Sequence, residues 1–177
     1  MKNLLKYLLL LAFISASGFV YAQKAPKFGH INTNDLITAM PDRDSALKKL
    51  EVFAKDLDAN LESMNVELNK KYDDYLKNRE TMSNLVRQTK EGEIQDFQQR
   101  IQAYQESAQQ EIQKKQAELM QPIVAKAKKA IEDIGKENGF IMIYETSALQ
   151  FMSADVQDVM PLVKTKLGIK NTPAPAN

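Results

Sequence analysis

Apolar residues recur at intervals of three and four from residue 42 to residue 138, and most of them follow a seven-residue pattern. Such a pattern is typical of long helices that pack against one another as a coiled coil. Gly92, Pro122 and Gly135 are the only potential helix breakers in this segment. We predict an antiparallel helical hairpin that turns near residues 89–92 and projects from a small body as an arm.

The predicted interface between the two helices, called the seam below, consists of the residues at the two inward heptad positions. A turn at residues 89–92 pairs residues whose numbers sum to about 180 to 183, for example Leu85 with Phe97. Apolar residues match at most of these pairs, which supports a paired arm. The predicted seam residues are Leu50, Leu57, Leu61, Leu68, Tyr75, Met82, Leu85, Phe97, Ile101, Tyr104, Ile112, Leu119, Ile123 and Ile131.

Three residues are expected to modify the arm. Lys71 and Asn78 occupy seam positions in its outer half, so the hairpin should loosen toward its tip. Pro122 lacks a backbone N–H and should bend the second helix near its base.

The residues outside the arm predict a small body made of two segments, 23–41 and 139–168. The apolar segments Phe28–Ile31 and Phe140–Tyr144 have the length of strands. Leu149–Met152 is the expected partner of the second strand in a hairpin.

A helix and a tail are predicted at the end of the chain. Ser153 is placed to cap this helix, and Gly168 is placed to terminate it. Residues 169–177, which are rich in proline and alanine, are predicted to be disordered.

The predicted body holds only about 45 residues, and a body of that size rarely folds without metals or disulfides. The chain contains no cysteine. We therefore expect the body to associate with copies of itself. The expected oligomerisation core consists of Phe28, Ile31, Phe140, Met142, Tyr144, Leu149 and Phe151.

Residues 1–22 have the features of a cleaved export signal. Lys2 and Lys6 precede the apolar residues 7–20, and small residues lead to Ala22. The apolar run is short for a membrane span, and an uncleaved membrane anchor is the alternative. The mature protein is expected to be exported and soluble, without stable membrane insertion.

Charge and composition argue against several functions. The chain has 24 basic and 23 acidic residues, and removing residues 1–22 leaves 22 and 23. Such a balance does not favour binding of nucleic acid, which needs a clustered basic surface. His30 is the single histidine, so no metal site, cofactor or catalytic site is predicted.

Four apolar residues lie off the seam and are candidate contacts for a bound client polypeptide. The alternative is that each packs within its own subunit or lies singly on the surface. These residues are Val52, Phe53, Val66 and Val86.

The order of these parts is similar to that of the Skp/OmpH family of periplasmic chaperones. The resemblance covers nearly the whole mature chain, and the segments from Phe28 to Asn32 and from Ser153 to Val156 are its most specific parts. It implies a mostly α-helical, jellyfish-like homotrimer in which a joint β-body carries three arms around a cavity. It also implies a holdase that binds unfolded outer-membrane proteins without ATP. An envelope scaffold that binds one folded partner is the alternative class.

Overall fold

A computed structural model describes residues 25–170 of the chain. The predicted fold class is confirmed, because a long helical hairpin stands on a small strand-containing body. The predicted signal, residues 1–22, and most of the predicted tail lie outside the described residues. In chain order the elements are β1 (Lys27–Ile31), α1 (Thr33–Thr38), α2 (Pro41–Asn78), α3 (Asn84–Asn138), β2 (Phe140–Glu145), a 3₁₀ helix (Thr146–Ala148), β3 (Gln157–Asp158) and α4 (Met160–Lys166).

Helices α2 and α3 form the arm, and the chain reverses between Asn78 and Asn84. Ser83 caps α3, because its Oγ accepts a hydrogen bond from the N–H of Val86 at 3.4 Å, and serine is a favoured helix-capping residue. Gly92 lies inside α3, where a glycine costs only about 1 kcal/mol relative to alanine. The turn predicted at residues 89–92 is therefore wrong, since the serine cap determines where α3 begins.

The register of the arm differs from the predicted register by about two to three heptads. The Tyr104 hydroxyl donates a hydrogen bond to the Leu57 carbonyl oxygen at 3.3 Å, and Lys126 Nζ lies 2.6 Å from Asp42 Oδ2. The residue numbers of these pairs sum to 161 and 168, below the predicted range. A shift by whole heptads keeps apolar residues opposite apolar residues. Most seam residues are therefore retained while their partners change.

Strands β2, β1 and β3 form one sheet in that order, and both pairings are parallel. Gly29 at the centre pairs with Ile143 on one side and Gln157 on the other. Parallel strands need a long connection, and between β1 and β2 the arm provides it. The predicted hairpin is wrong, because a 3₁₀ helix follows β2 and residues 149–152 do not form a strand.

Helix α4 begins later than predicted. Ser153 takes part in a local turn and does not cap the helix, whereas Asp158 Oδ1 accepts a hydrogen bond from the N–H of Met160 at 2.8 Å. Gly168 follows the helix with a φ of 70°, as expected for a helix-terminating glycine. Ile169 then packs against the core. The start of the predicted disordered tail, residue 169, is therefore at least one residue too early.

The core of the body lies where the base of α3 meets the sheet, α1 and α4. The body is therefore larger than predicted, because the lower turns of the arm belong to it. Its buried residues are Ile31, Leu36, Met40, Ala46, Ile123, Ala127, Ala130, Ile134, Val159 and Val163.

Candidate functional site

The two arm helices extend well beyond the body core. At about 1.5 Å per residue, the 38 residues of α2 span about 57 Å and the 55 residues of α3 span about 83 Å. No other described element covers the outer half of this arm, so each helix there packs only against the other. The outward faces of both helices are open to a binding partner.

Most of the predicted seam residues lie between the two helices. Two are exceptions, and their assignment to the seam is wrong. Leu85 is 75% exposed, because it lies in the first turn of α3, next to the chain reversal. Ile131 lies below Pro41, where α2 begins, and packs against the body core beside β2. Phe97, Ile101 and Ile123 are buried, and the half-buried seam residues are Leu50, Leu57, Leu61, Leu68, Tyr75, Met82, Tyr104, Ile112 and Leu119.

Polar contacts join the helices toward the tip of the arm. The Tyr75 hydroxyl donates a hydrogen bond to the Glu91 carboxylate, and this bond raises the pKa of the tyrosine. Lys71 Nζ lies over the Phe97 ring, 5.6 Å from its centre. Contacts of this kind are screened by water and contribute little to stability. The outer arm is therefore held less firmly than the apolar base.

Three of the four candidate client contacts are exposed on the arm. Val52 and Val66 on α2 are 59% and 58% exposed, and Val86 on α3 is 45% exposed. Phe53 is half-buried beneath the Lys115 ammonium group, which lies 5.7 Å from the ring centre. Phe53 therefore contributes to the contact between the helices, while the three valines are available on the surface.

A second apolar surface lies on β2, which is one of the two edge strands of the sheet. Met142 is 52% exposed and Phe151, in the segment after β2, is 85% exposed. An unpaired strand edge beside exposed apolar side chains is a typical place for another chain to bind. Of the predicted oligomerisation core, Ile31 is buried within the protomer, Phe28, Phe140 and Leu149 are half-buried, and Met142, Tyr144 and Phe151 are exposed.

The Glu145 carboxylate fixes the end of β2 to the start of α1. Its Oε2 accepts a hydrogen bond from the N–H of Thr33 at 3.0 Å, and Ser147 Oγ donates to Oε1 at 3.4 Å. Partial burial raises the pKa of Glu145, but the hydrogen bonds from Thr33 and Ser147 outweigh it, so the pKa lies below its ordinary value. This contact also aligns a negative charge with the positive end of the α1 dipole.

The single histidine is part of the body. His30 Nδ1 lies 3.1 Å from Thr146 Oγ1, and the ring is half-buried. Within residues 25–170, no three acidic or histidine side chains are grouped so that they could hold a metal ion. None of the helices in that range combines the length and the apolarity needed to cross a membrane.

The fold of this protein, a long helical hairpin on a small parallel sheet, is that of a protein with a projecting helical arm. Residues 27–167 match the sequence family described as outer membrane protein (OmpH-like). The chain belongs to this Skp/OmpH family, as the sequence resemblance predicted.

Two relatives illustrate the range of the similarity. Chaperone protein Skp from Vibrio cholerae is 24% identical over 153 residues, which cover 85% of this chain and 90% of that protein. The crystal structure of an OmpH-like outer membrane chaperone from Caulobacter crescentus has a TM-score of 0.71 at 11% identity, and the match covers 84% of this chain and 90% of that one. The second comparison shows a shared fold.

Proposed function

We propose that the protein is an ATP-independent holdase chaperone of the periplasm, which binds unfolded outer-membrane proteins and prevents their aggregation. The observation that carries this proposal is the arm, whose outer faces are open along most of its length. Exposed side chains such as Val52, Val66 and Val86 offer small apolar contacts among polar residues. The similarity to the Vibrio cholerae relative, which is named a chaperone, supports the same function.

Small, separated contacts suit the holding of an unfolded client. An unfolded barrel protein exposes apolar side chains and unpaired strand edges, which are the groups that drive aggregation. A strong site would trap one sequence, whereas many weak contacts hold many sequences and release them. Several arms acting on the same client would raise retention through effective concentration.

The arms are brought together, in this proposal, by a homotrimer assembled through the body. The exposed residues Met142 and Tyr144 on β2, the free edge of that strand and the exposed Phe151 in the segment after it support assembly through the body. Three arms that extend from one joint body would enclose a cavity for the client.

Holdase activity is tested with an unfolded outer-membrane barrel protein diluted out of urea. Light scattering should fall in proportion to added chaperone and should reach its minimum near one assembly per client, without ATP. Scattering that is unchanged by a molar excess of folded, mature protein would rule the proposal out.

Assembly is tested by sedimentation of a variant with Met142→Asp and Phe151→Asp. The wild-type protein should sediment as a trimer, and the variant should dissociate because charged groups would be buried at the joint. A variant with Val52→Asp and Val66→Asp adds the same charge to exposed positions on the arm and should remain assembled. Equal masses for both variants would place the interface elsewhere.

A further inference from the structure

Glutamine is distributed unevenly around α3. Five glutamines recur at intervals of seven residues, which places them in a single row along the helix. The row consists of Gln88, Gln95, Gln102, Gln109 and Gln116.

Four further glutamines flank this row. At 3.6 residues per turn, all nine fall within a sector of about 120° beside the seam. Each is exposed, and none of their side-chain amides forms a hydrogen bond with another of the described residues 25–170. We call this surface the glutamine face; besides the row it contains Gln98, Gln99, Gln105 and Gln113.

The opposite flank of the same helix has a different chemistry. Acidic and basic residues alternate there, as on an ordinary solvated helix surface, whereas the glutamine face carries no lysine or arginine between residues 88 and 116 and only Glu91 and Glu106 as charges. Both flanks are equally open to water, so solubility alone does not account for the difference. The charged flank contains Asp96, Arg100, Glu111, Lys114 and Glu118.

The side-chain amide of glutamine has both a donor and an acceptor and thereby matches the peptide group. Seven residues of helix rise about 10.5 Å, and three residues of extended chain span about 10 Å. A row of glutamines at this interval can therefore lie beside every third peptide group of an extended polypeptide in a repeating way. The near absence of charge on this face means that client charge would neither favour nor oppose binding.

We propose that the glutamine face binds the main chain of the unfolded client by hydrogen bonds to its peptide groups. This inference rests on the proposed holdase function and specifies its ligand as peptide groups, independent of client side chains. Each bond replaces a bond to water and is weak. The length of the row provides the affinity.

The test uses the full-length mature protein and three conservative substitutions in the row, Gln95→Met, Gln102→Met and Gln109→Met. Methionine has a similar length and helix propensity but cannot replace the amide. The matched control carries Ala103→Met, Ser107→Met and Gln121→Met, three exposed positions of α3 that lie outside the glutamine face. Circular dichroism and sedimentation check that both variants remain helical and assembled.

The probe is a fluorescent, unstructured peptide of about 13 residues, long enough to follow the row when extended. We expect its dissociation constant to rise three- to tenfold for the row variant and less than twofold for the control. A second probe carries N-methyl groups on alternate peptide nitrogens; it should bind the wild type more weakly than the first probe and should lose this difference in the row variant. Equal affinities of the row and control variants, or tighter binding by the row variant, would overturn the inference.

The aggregation assay separates this inference from the function on which it rests. If the wild-type protein fails to suppress aggregation, the holdase proposal is lost. If the wild type suppresses aggregation and the row variant does so equally well, the holdase function stands and the glutamine face is excluded as its binding surface.

Discussion

Gly29 is the residue at which the packing of the body can be tested most sharply. It lies on the central strand, and a Cβ added there would be 2.8 Å from Val159 Cγ1 and 3.1 Å from Phe140 Cε1. Val159 is fully buried and its N–H donates to the His30 carbonyl oxygen at 3.0 Å, so Val159 cannot move away freely. Gly29→Ala should lower the free energy of unfolding by about 1 to 3 kcal/mol, the usual cost of overpacking.

The effect of Gly29→Ala should depend on Val159. Val159→Ala alone removes two buried methyl groups and should cost about 2 kcal/mol. The vacated volume accepts the new methyl group at Gly29, so the double variant should be more stable than the sum of the single changes predicts, by about 1 kcal/mol.

The measurement is urea unfolding followed by circular dichroism at one fixed protomer concentration, since assembly contributes to apparent stability. Gly92→Ala is the control, because a Cβ there has no atom within 4 Å and alanine favours the helix by about 1 kcal/mol. Gly92→Ala should therefore stabilise the protein. Strict additivity of Gly29→Ala and Val159→Ala would refute the packing argument.

Three further predictions concern the body and the arm. Because the folded-state pKa of Glu145 is depressed, its contribution to stability is complete above about pH 4.3, the pKa of a free glutamate, and is lost as the pH falls through the lower folded value. Glu145→Gln should reduce the change of the urea unfolding midpoint with pH across that acidic range. An unchanged pH dependence would mean that the hydrogen bond from Thr33 does not contribute to stability. Leu85→Ala should change the free energy of unfolding by about 0.5 kcal/mol or less, whereas Phe97→Ala should lower it by about 3 kcal/mol or more. If urea unfolding gives similar losses of stability for the two variants, Leu85 belongs to the seam after all. Reversing Asp42 to Lys should cost about 1 kcal/mol or less, because the contact with Lys126 is half-exposed, and the additional change Lys126→Asp should recover most of it if the two residues face each other.

The sequence was sufficient to predict the arm, because a heptad pattern specifies a seam whatever its register. The register itself was not predictable from that pattern, since offsets of seven residues place similar residues opposite one another. Contacts such as Asp42 with Lys126 distinguish the registers, but isolated charges of both signs occur along both helices. The Ser83 cap was the local signal that locates the turn.

The sheet was harder to predict than the arm. An apolar strand such as Phe140–Tyr144 is compatible with a parallel or an antiparallel partner, and the neighbouring residues Leu149–Met152 suggested the shorter connection. The strand that pairs with β1 on its other side, Gln157–Asp158, has only two residues and no apolar pattern. The exposed glutamines of α3 were visible in the sequence, but their common face follows only from the continuous helix.

The parallel sheet has a consequence for biosynthesis. Strand β1 is made early, yet its two neighbours, Phe140–Glu145 and Gln157–Asp158, are made more than a hundred residues later. Contacts at such sequence separation form slowly, because a long stretch of chain has to be closed into a loop before they can be made. The first strand therefore stays with its edges unsatisfied until the last part of the polypeptide is available, so the sheet that carries the arm can close only after the whole arm has been made.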